Sequence, residues 1–437
     1  MPPRDRTEPV TTGLLIVAIF TAAFTLVANR LRTTIVTAPM VFLTLGLALS
    51  MTGLLPQKEA VHGLHLVAEI ALLILLFVDA AQIDLSALRK QHVWPVRMLF
   101  LGLPAAIVLG TLAAFPFLPG WPLVAVALVA SILAPTDAAL GQAVVTNPIV
   151  PDRVRRALTV ESGLNDGLAL PAILLFASLA ANAMDGTQTN WTVFVIKQLG
   201  LGPLVGIVIG IVGGKLVLLA DKQGLTSNTF EGIGVLALAG SAYLGATQVG
   251  GNGFIAAFVG GLCFGNVVKG HCKFIYEFTE SEGQMLTWAA FFLIGLALIP
   301  EALLHLTPSI LAIILISLFV VRPLAIWISL SGTDASPVTR IFFGWFGPRG
   351  LATALFALLI LPKITDQLAA PVLAIAINAV WISALLHGLS AMPAARWYAT
   401  RVGAMGACPE AELIAVSAKP LVTVASTPHQ NRSSQDQ

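Results

Sequence analysis

Glu161, Ser162, Asn165 and Asp166 fall within the stretch Val160-Glu161-Ser162-Gly163-Leu164-Asn165-Asp166-Gly167, and both carboxylates lie inside an apolar run from about 153 to 180. If the run is helical, Ser162 and Asp166 share one face, while Glu161 and Asn165 form a second i,i+4 pair beside them. A carboxylate near the centre of a bilayer-spanning helix costs at least ~2.5 to 3.5 kcal/mol. An ion pair, a proton or a bound cation must offset that cost. Proton and cation can compete for one carboxylate, which is the chemistry of ion exchange.

Five more charges stand at membrane depth: Glu69 and Asp79 in a third apolar run, Asp137 in the fifth, Arg322 in the eleventh and Arg349 in the twelfth. So many intramembrane groups, most of them acids, point to a cation or proton path more than to separate structural pairs. The fifth run reads Ile132-Leu133-Ala134-Pro135-Thr136-Asp137-Ala138 and the twelfth Phe346-Gly347-Pro348-Arg349-Gly350-Leu351-Ala352. Proline removes a helix hydrogen bond and glycine weakens the ladder, so both helices should break there. Freed backbone is tolerated in a bilayer only against protein or a watery cavity, which predicts a site between the two breaks. The breaks fall seven spans apart, as expected if spans one to six and eight to thirteen are inverted repeats around span seven.

Positioning these groups takes a polytopic all-α membrane protein. Of the 437 residues, 57% are hydrophobic and 11% charged, and apolar runs of bilayer length recur along the chain. Thirteen transmembrane helices are expected, at about 10–29, 33–55, 61–81, 94–116, 121–143, 153–180, 195–218, 230–247, 251–268, 284–300, 305–330, 338–361 and 370–394. The first run follows Arg4 and Arg6 but is too long for a leader and lacks a small-residue cleavage site. Basic residues in alternate loops number five on the side of the N-terminus and seventeen on the other. The N-terminus is therefore expected outside and the C-terminus in the cytoplasm.

Residues 1–397 read as one transmembrane domain, with a core at about 94–180 and 305–394, and 398–437 as a short cytoplasmic tail. The tail's end is expected to be disordered, although Ile414 to Val424 is apolar enough to dock. A net charge of +2 gives no reason to expect nucleic acid, and Cys263, Cys272 and Cys408 have no metal-ligand spacing. An enzyme is not expected, because no nucleophile and base pair stands out and His65 and His387 read as packing residues.

ESGLNDG at 161–167, APTDAAL at 134–140, GGNGFIAAFVGGL at 250–262 and GPRGLATAL at 347–355 occur in order, with LLFVDAAQIDLSAL at 75–88 and Val321-Arg322-Pro323. Together they resemble the monovalent cation:proton antiporter-1 family, most closely its NhaP-type sodium/proton exchangers, over about residues 10–397. The resemblance implies two inverted six-helix repeats with crossing broken helices, a moving core, a scaffold and a homodimer. It also implies that Asp166 binds the ion or proton, with Ser162, the Thr136 carbonyl and Asp137 around Na+, Asp137 acting through water. Glu161 would pair with Arg322, with Asn165 bracing the contact, and Arg349 would be electrostatic and structural. Relatives carry glutamate where Asp79 stands, so its shorter side chain leaves direct ion contact open.

The expected activity is electroneutral Na+(Li+)/H+ antiport by alternating access at an inner (plasma) membrane, with a monovalent cation, protons, lipid and a second copy as partners and no cofactor. K+/H+ antiport is the alternative, since these oxygen ligands do not fix ion size. A sodium-coupled symporter would need a further polar pocket, which the sequence does not suggest.

Overall fold

The computed structural model describes residues 7–31, 34–86, 93–137, 140–185, 193, 196–269, 271–272, 277, 282–406 and 408–411. Among the described residues all regular structure is helical. The chain opens with α1 (Thr7–Leu31), α2 (Ala38–Thr52) and α3 (Gln57–Ala81). Next come α4 (Val93–Phe117), α5 (Leu123–Ile132), the short α6 (Gln142–Val145) and α7 (Asp152–Asp185). They are followed by α8 (Ile196–Lys222), α9 (Asn228–Gln248), α10 (Gly253–Val268) and α11 (Gly283–Leu304). The chain continues through α12 (Pro308–Ser329), α13 (Pro337–Trp345), α14 (Leu351–Ile360) and α15 (Asp366–Gly403).

Eight of the described helices are long and apolar enough to cross a membrane, and α2, α5, α10 and the α14 stretch are shorter apolar helices. Helix is the solution open to such segments, because it pairs every backbone group within the segment and leaves none facing hydrocarbon. The expectations for the tail beyond 411 fall outside the described residues, as do Ala138 and Ala139. So do Arg4, Arg6, Arg32, Arg89, Lys90, Lys273, Lys419 and Arg432, on which the orientation reading partly rests.

Among the described residues four helices contain a widened π turn, at Met98–Gly102, Ile196–Leu201, Ile294–Leu298 and Ser317–Val321. In every case a proline, Pro104, Pro203, Pro300 or Pro323, stands two residues past the last π residue. A proline ring would strike the carbonyl four residues back and leaves that carbonyl without its donor, so a wide turn at that carbonyl relieves both. Two of the four segments align residue for residue. Met98-Leu99-Phe100-Leu101-Gly102-Leu103-Pro104 of α4 matches Ser317-Leu318-Phe319-Val320-Val321-Arg322-Pro323 of α12, placing Leu103 where α12 carries Arg322.

The helices pack in two groups. In one, α10 lies between α3, α8 and α9, and α2 packs on α11. Gly206 and Gly210 let α8 sit directly on the backbone of α10, where a Cβ would overlap the carbonyls of Ala256 and Gly260. In the other, α5 packs on α4 and α7, α12 on α4 and α13, and α14 on α15. Helix α3 meets this second group at α7 and α14, where the two breaks lie.

Candidate functional site

Helix α5 ends at Ile132 and the chain runs without helix through Pro135, Thr136 and Asp137; α13 ends at Trp345 and the chain again runs without helix from Phe346 to Gly350. The two unwound stretches cross and bond to each other. Asp137 N donates to Pro348 O at 2.9 Å, and Leu351 N donates to Asp137 Oδ2 at 2.6 Å. One break therefore caps the helix that resumes after the other, with a carboxylate at the positive end of α14. Gly350 makes this approach possible, because a Cβ there would overlap the Asp137 carboxylate.

Helix α7 lays its polar face over the crossing. Glu161 and Arg322, each with 3% of its side chain exposed, form an ion pair with Arg322 Nη1 2.8 Å from Glu161 Oε1. Thr136 Oγ1 donates to Glu161 Oε2 at 3.3 Å. Asn165 Nδ2 reaches Glu161 Oε1 at 3.4 Å, but its shorter bond, 2.5 Å, goes to Thr136 Oγ1. Asn165 thus ties α7 to the first break more than it braces the ion pair.

On the residue next to Glu161, the Ser162 hydroxyl donates to the Thr136 carbonyl at 2.7 Å. Asp166 lies half-buried on the same face, and its Oδ1 is buried without a hydrogen-bond partner. Asp137, Asp79 and Glu161 are all close enough to act on it electrostatically. Asp79 comes from α3, which packs on α7, and is also half-buried.

Arg349 is buried, with 1% exposed, and donates from Nη1 to Gly347 O at 2.7 Å and from Nη2 to Ser317 Oγ at 3.4 Å. Its Nε has no partner. Among the described residues it makes no salt bridge to a carboxylate, and its charge faces the backbone of its own break. Ser317 was missed from the sequence, since a serine inside an apolar run gives no hint of the arginine it meets. Glu69 lies apart from the crossing, exposed on α3, and accepts from Tyr243 Oη of α9.

Among the described residues no three acids, histidines or cysteines come together as a metal-ion cluster. A cation here would take one carboxylate, a hydroxyl and a backbone carbonyl, a set of neutral and singly charged oxygens suited to a weakly held monovalent ion. The arrangement has the oxygens to bind and release an ion or a proton.

Residues 15–397 match the family described as sodium/hydrogen exchanger, transmembrane. The chain is 28% identical over 385 residues to the K(+)/H(+) antiporter NhaP of Alkalimonas amylolytica, covering 85% of this chain and 64% of that protein. It is 29% identical over 340 residues to the K(+)/H(+) antiporter NhaP2 of Shewanella oneidensis, covering 76% of this chain and 57% of that one. The chain thus spans about three-fifths of the length of these relatives. The fold is similar to the sodium proton antiporter MjNhaP1 of Methanocaldococcus jannaschii at pH 8, with a TM-score of 0.74 and 20% identity over 90% of this chain and all of that one.

Proposed function

The chain belongs to the sodium/hydrogen exchanger family, and we propose on that footing that it exchanges one monovalent cation, Na+ or Li+, for one proton by alternating access at Asp166. The observation that carries the reading is the placement of Asp166, with a buried, unpartnered carboxylate oxygen beside the crossing of two broken helices.

Ser162 Oγ and the Thr136 carbonyl face each other at 2.7 Å. A cation entering between them and Asp166 takes lone pairs from all three, while Asp137 and Asp79 stand within electrostatic reach. A proton needs Asp166 alone. Since the two occupants use the same carboxylate, one excludes the other, and the site crosses with the same net charge in either case. That makes the exchange one for one and insensitive to voltage. The Glu161–Arg322 pair and Arg349 hold the broken helices together.

The same proposal includes a thirteen-span topology with inverted repeats, which the matching π-turn segments of α4 and α12 support. It takes the α4, α5, α7 and α12–α15 group as the moving core, the other group as scaffold and dimer surface, and an inner-membrane location with the N-terminus outside. A K+ cargo is the second reading, favoured by the names of the Alkalimonas and Shewanella relatives. Purified protein in liposomes, given Na+, Li+ or K+ gradients with and without an imposed potential, tests both. Sodium-driven proton movement unaffected by potential is the expected result, and no cation-driven proton movement would sink the reading.

A further inference from the structure

A chain unwound at membrane depth must find partners for its backbone, and the second break does so in an instructive way. Gly347 O is taken by Arg349 Nη1 at 2.7 Å, Pro348 O by Asp137 N at 2.9 Å, and Leu351 N by Asp137 Oδ2 at 2.6 Å. Gly347 N turns back on Trp345 O at 2.8 Å, and two further contacts come from α15. Arg349 N donates to Ser383 Oγ at 2.7 Å, and Trp345 O lies 2.9 Å from His387 Nε2. Ser383 and His387 are themselves linked, with Ser383 Oγ 3.0 Å from His387 Nδ1, which also lies 2.9 Å from Ser383 O.

The partners limit the proton directions. A carbonyl only accepts and each ring nitrogen faces one, so a hydrogen on His387 Nε2 goes to Trp345 O and one on Nδ1 to Ser383 O, according to the tautomer. Ser383 Oγ accepts from Arg349 N. The two side chains stand one turn apart, are 0% and 2% exposed, and grip both ends of the 346–350 stretch. The ring also stacks on Trp345, centroids 5.0 Å apart. Packing alone would account for the stack but not for the two backbone bonds.

We infer that Ser383 and His387 are positioning residues for the cation site, acting through the second break on the first. The path is short: they fix Trp345 and Arg349, hence Pro348, whose carbonyl holds Asp137 N, and Asp137 adjoins Thr136, whose carbonyl faces Ser162. The consequence is selective, given the antiport reading on which it rests. A proton needs one lone pair on Asp166, whereas a cation needs several oxygens held at fixed distances. Loosening the crossing therefore weakens cation binding more than proton binding.

The test uses full-length protein in liposomes, comparing wild type with Ser383→Ala, His387→Ala and His387→Gln. Glutamine can still donate to Trp345 O. We expect KM for the cation to rise by about five- to a hundredfold in the two alanine variants, and His387→Gln to recover most of it. The acid side of the pH profile should move to higher pH in the alanine variants, because protons then compete better. A purely structural role would lower yield and melting temperature but leave KM and the profile of the folded protein in place. Wild-type KM and profile in folded Ser383→Ala overturn the inference, whatever becomes of the His387→Ala fold. Wild-type liposomes without cation-driven proton movement would instead overturn the antiport reading, a separate result.

Discussion

Glu161 and Asp166 sit on the same helix, yet their surroundings assign them different tasks. Glu161 is 2% exposed, with Arg322, Thr136 and Asn165 on its two oxygens, while Asp166 keeps an oxygen unpartnered. Replacing Asp166 by Asn preserves shape and removes the titrating charge. Asp166→Asn should therefore fold normally and lose exchange entirely, checked by size-exclusion profile and by cation-driven pH change in liposomes. Glu161→Gln or Arg322→Ala should do the reverse and damage the fold, because either strands a buried charge at a cost of about 3–5 kcal/mol. A large drop in melting temperature of the purified protein checks this. The two stripes were legible from the i,i+4 spacing. The partner that Asn165 prefers was not, because Thr136 reaches it only once two distant breaks cross. Spacing could not place Asp79 either, which stands within electrostatic reach of Asp166 from a separate helix.

The helices near the site are held by groups from outside themselves. Helix α14 begins on the carboxylate of Asp137, and Gly350 is the residue that leaves room for it. Gly350→Ala should push the crossing apart and lower exchange by at least about tenfold, as overpacking of this kind costs roughly 1–3 kcal/mol; initial rates in liposomes give the number. Helix α13 is held at its cytoplasm-facing start, on the orientation proposed here, by Glu410 beyond the end of α15. Glu410 Oε1 accepts from Ser336 N at 2.9 Å and Thr339 Oγ1 at 2.8 Å, and Arg153 at the start of α7 donates to Pro409 O at 2.9 Å. Burial pushes the Glu410 carboxyl up, but these hydrogen bonds outweigh it and hold it below the ordinary 4.5. A depressed carboxylate stabilises the fold above its unfolded value and loses that contribution as pH falls through the folded one. The advantage of wild type over Glu410→Gln should thus be about 1–2 kcal/mol near pH 7 and shrink below about pH 4.5, as read from melting midpoints across pH. The break after α5 was readable from Pro135 with the polar Thr136 and Asp137, and that between α13 and α14 from Pro348 with Gly347 and Gly350. The π turns were also written in the sequence, as a proline at a fixed offset, but Pro171 and Pro393 stand inside helices that have none, so proline alone does not announce one.

At the scale of the whole molecule the order of apolar runs was legible, and so was the family resemblance, because length and hydropathy decide which segments suit a bilayer. Which helices touch was not, since lipid and protein offer equally apolar surroundings and the sequence alone does not separate a lipid-facing leucine from a packed one. The structure supplies that distinction, and with it a mechanical prediction. The α8–α10 seam is backbone on backbone, too close to slide without separating, whereas the α3 end meets α7 less tightly: a Cβ on Gly163 would lie an ordinary 3.6 Å from Cδ1 of Ile83, just past α3, and 4.0 Å from the Asp79 carbonyl. If the group carrying Asp166 moves against the group carrying α3, this boundary must slip once in every half-cycle. Pinning it should stop transport while leaving cation binding intact. Ile83→Cys with Gly163→Cys, in a chain whose Cys263, Cys272 and Cys408 have been replaced, should exchange normally until joined by a short bifunctional thiol reagent that reduction can cleave. Exchange should then fall to background and return on reduction, while thermal stabilisation by added cation persists in the joined form. Full exchange with the two positions joined would mean that the cation crosses without relative motion of the two groups.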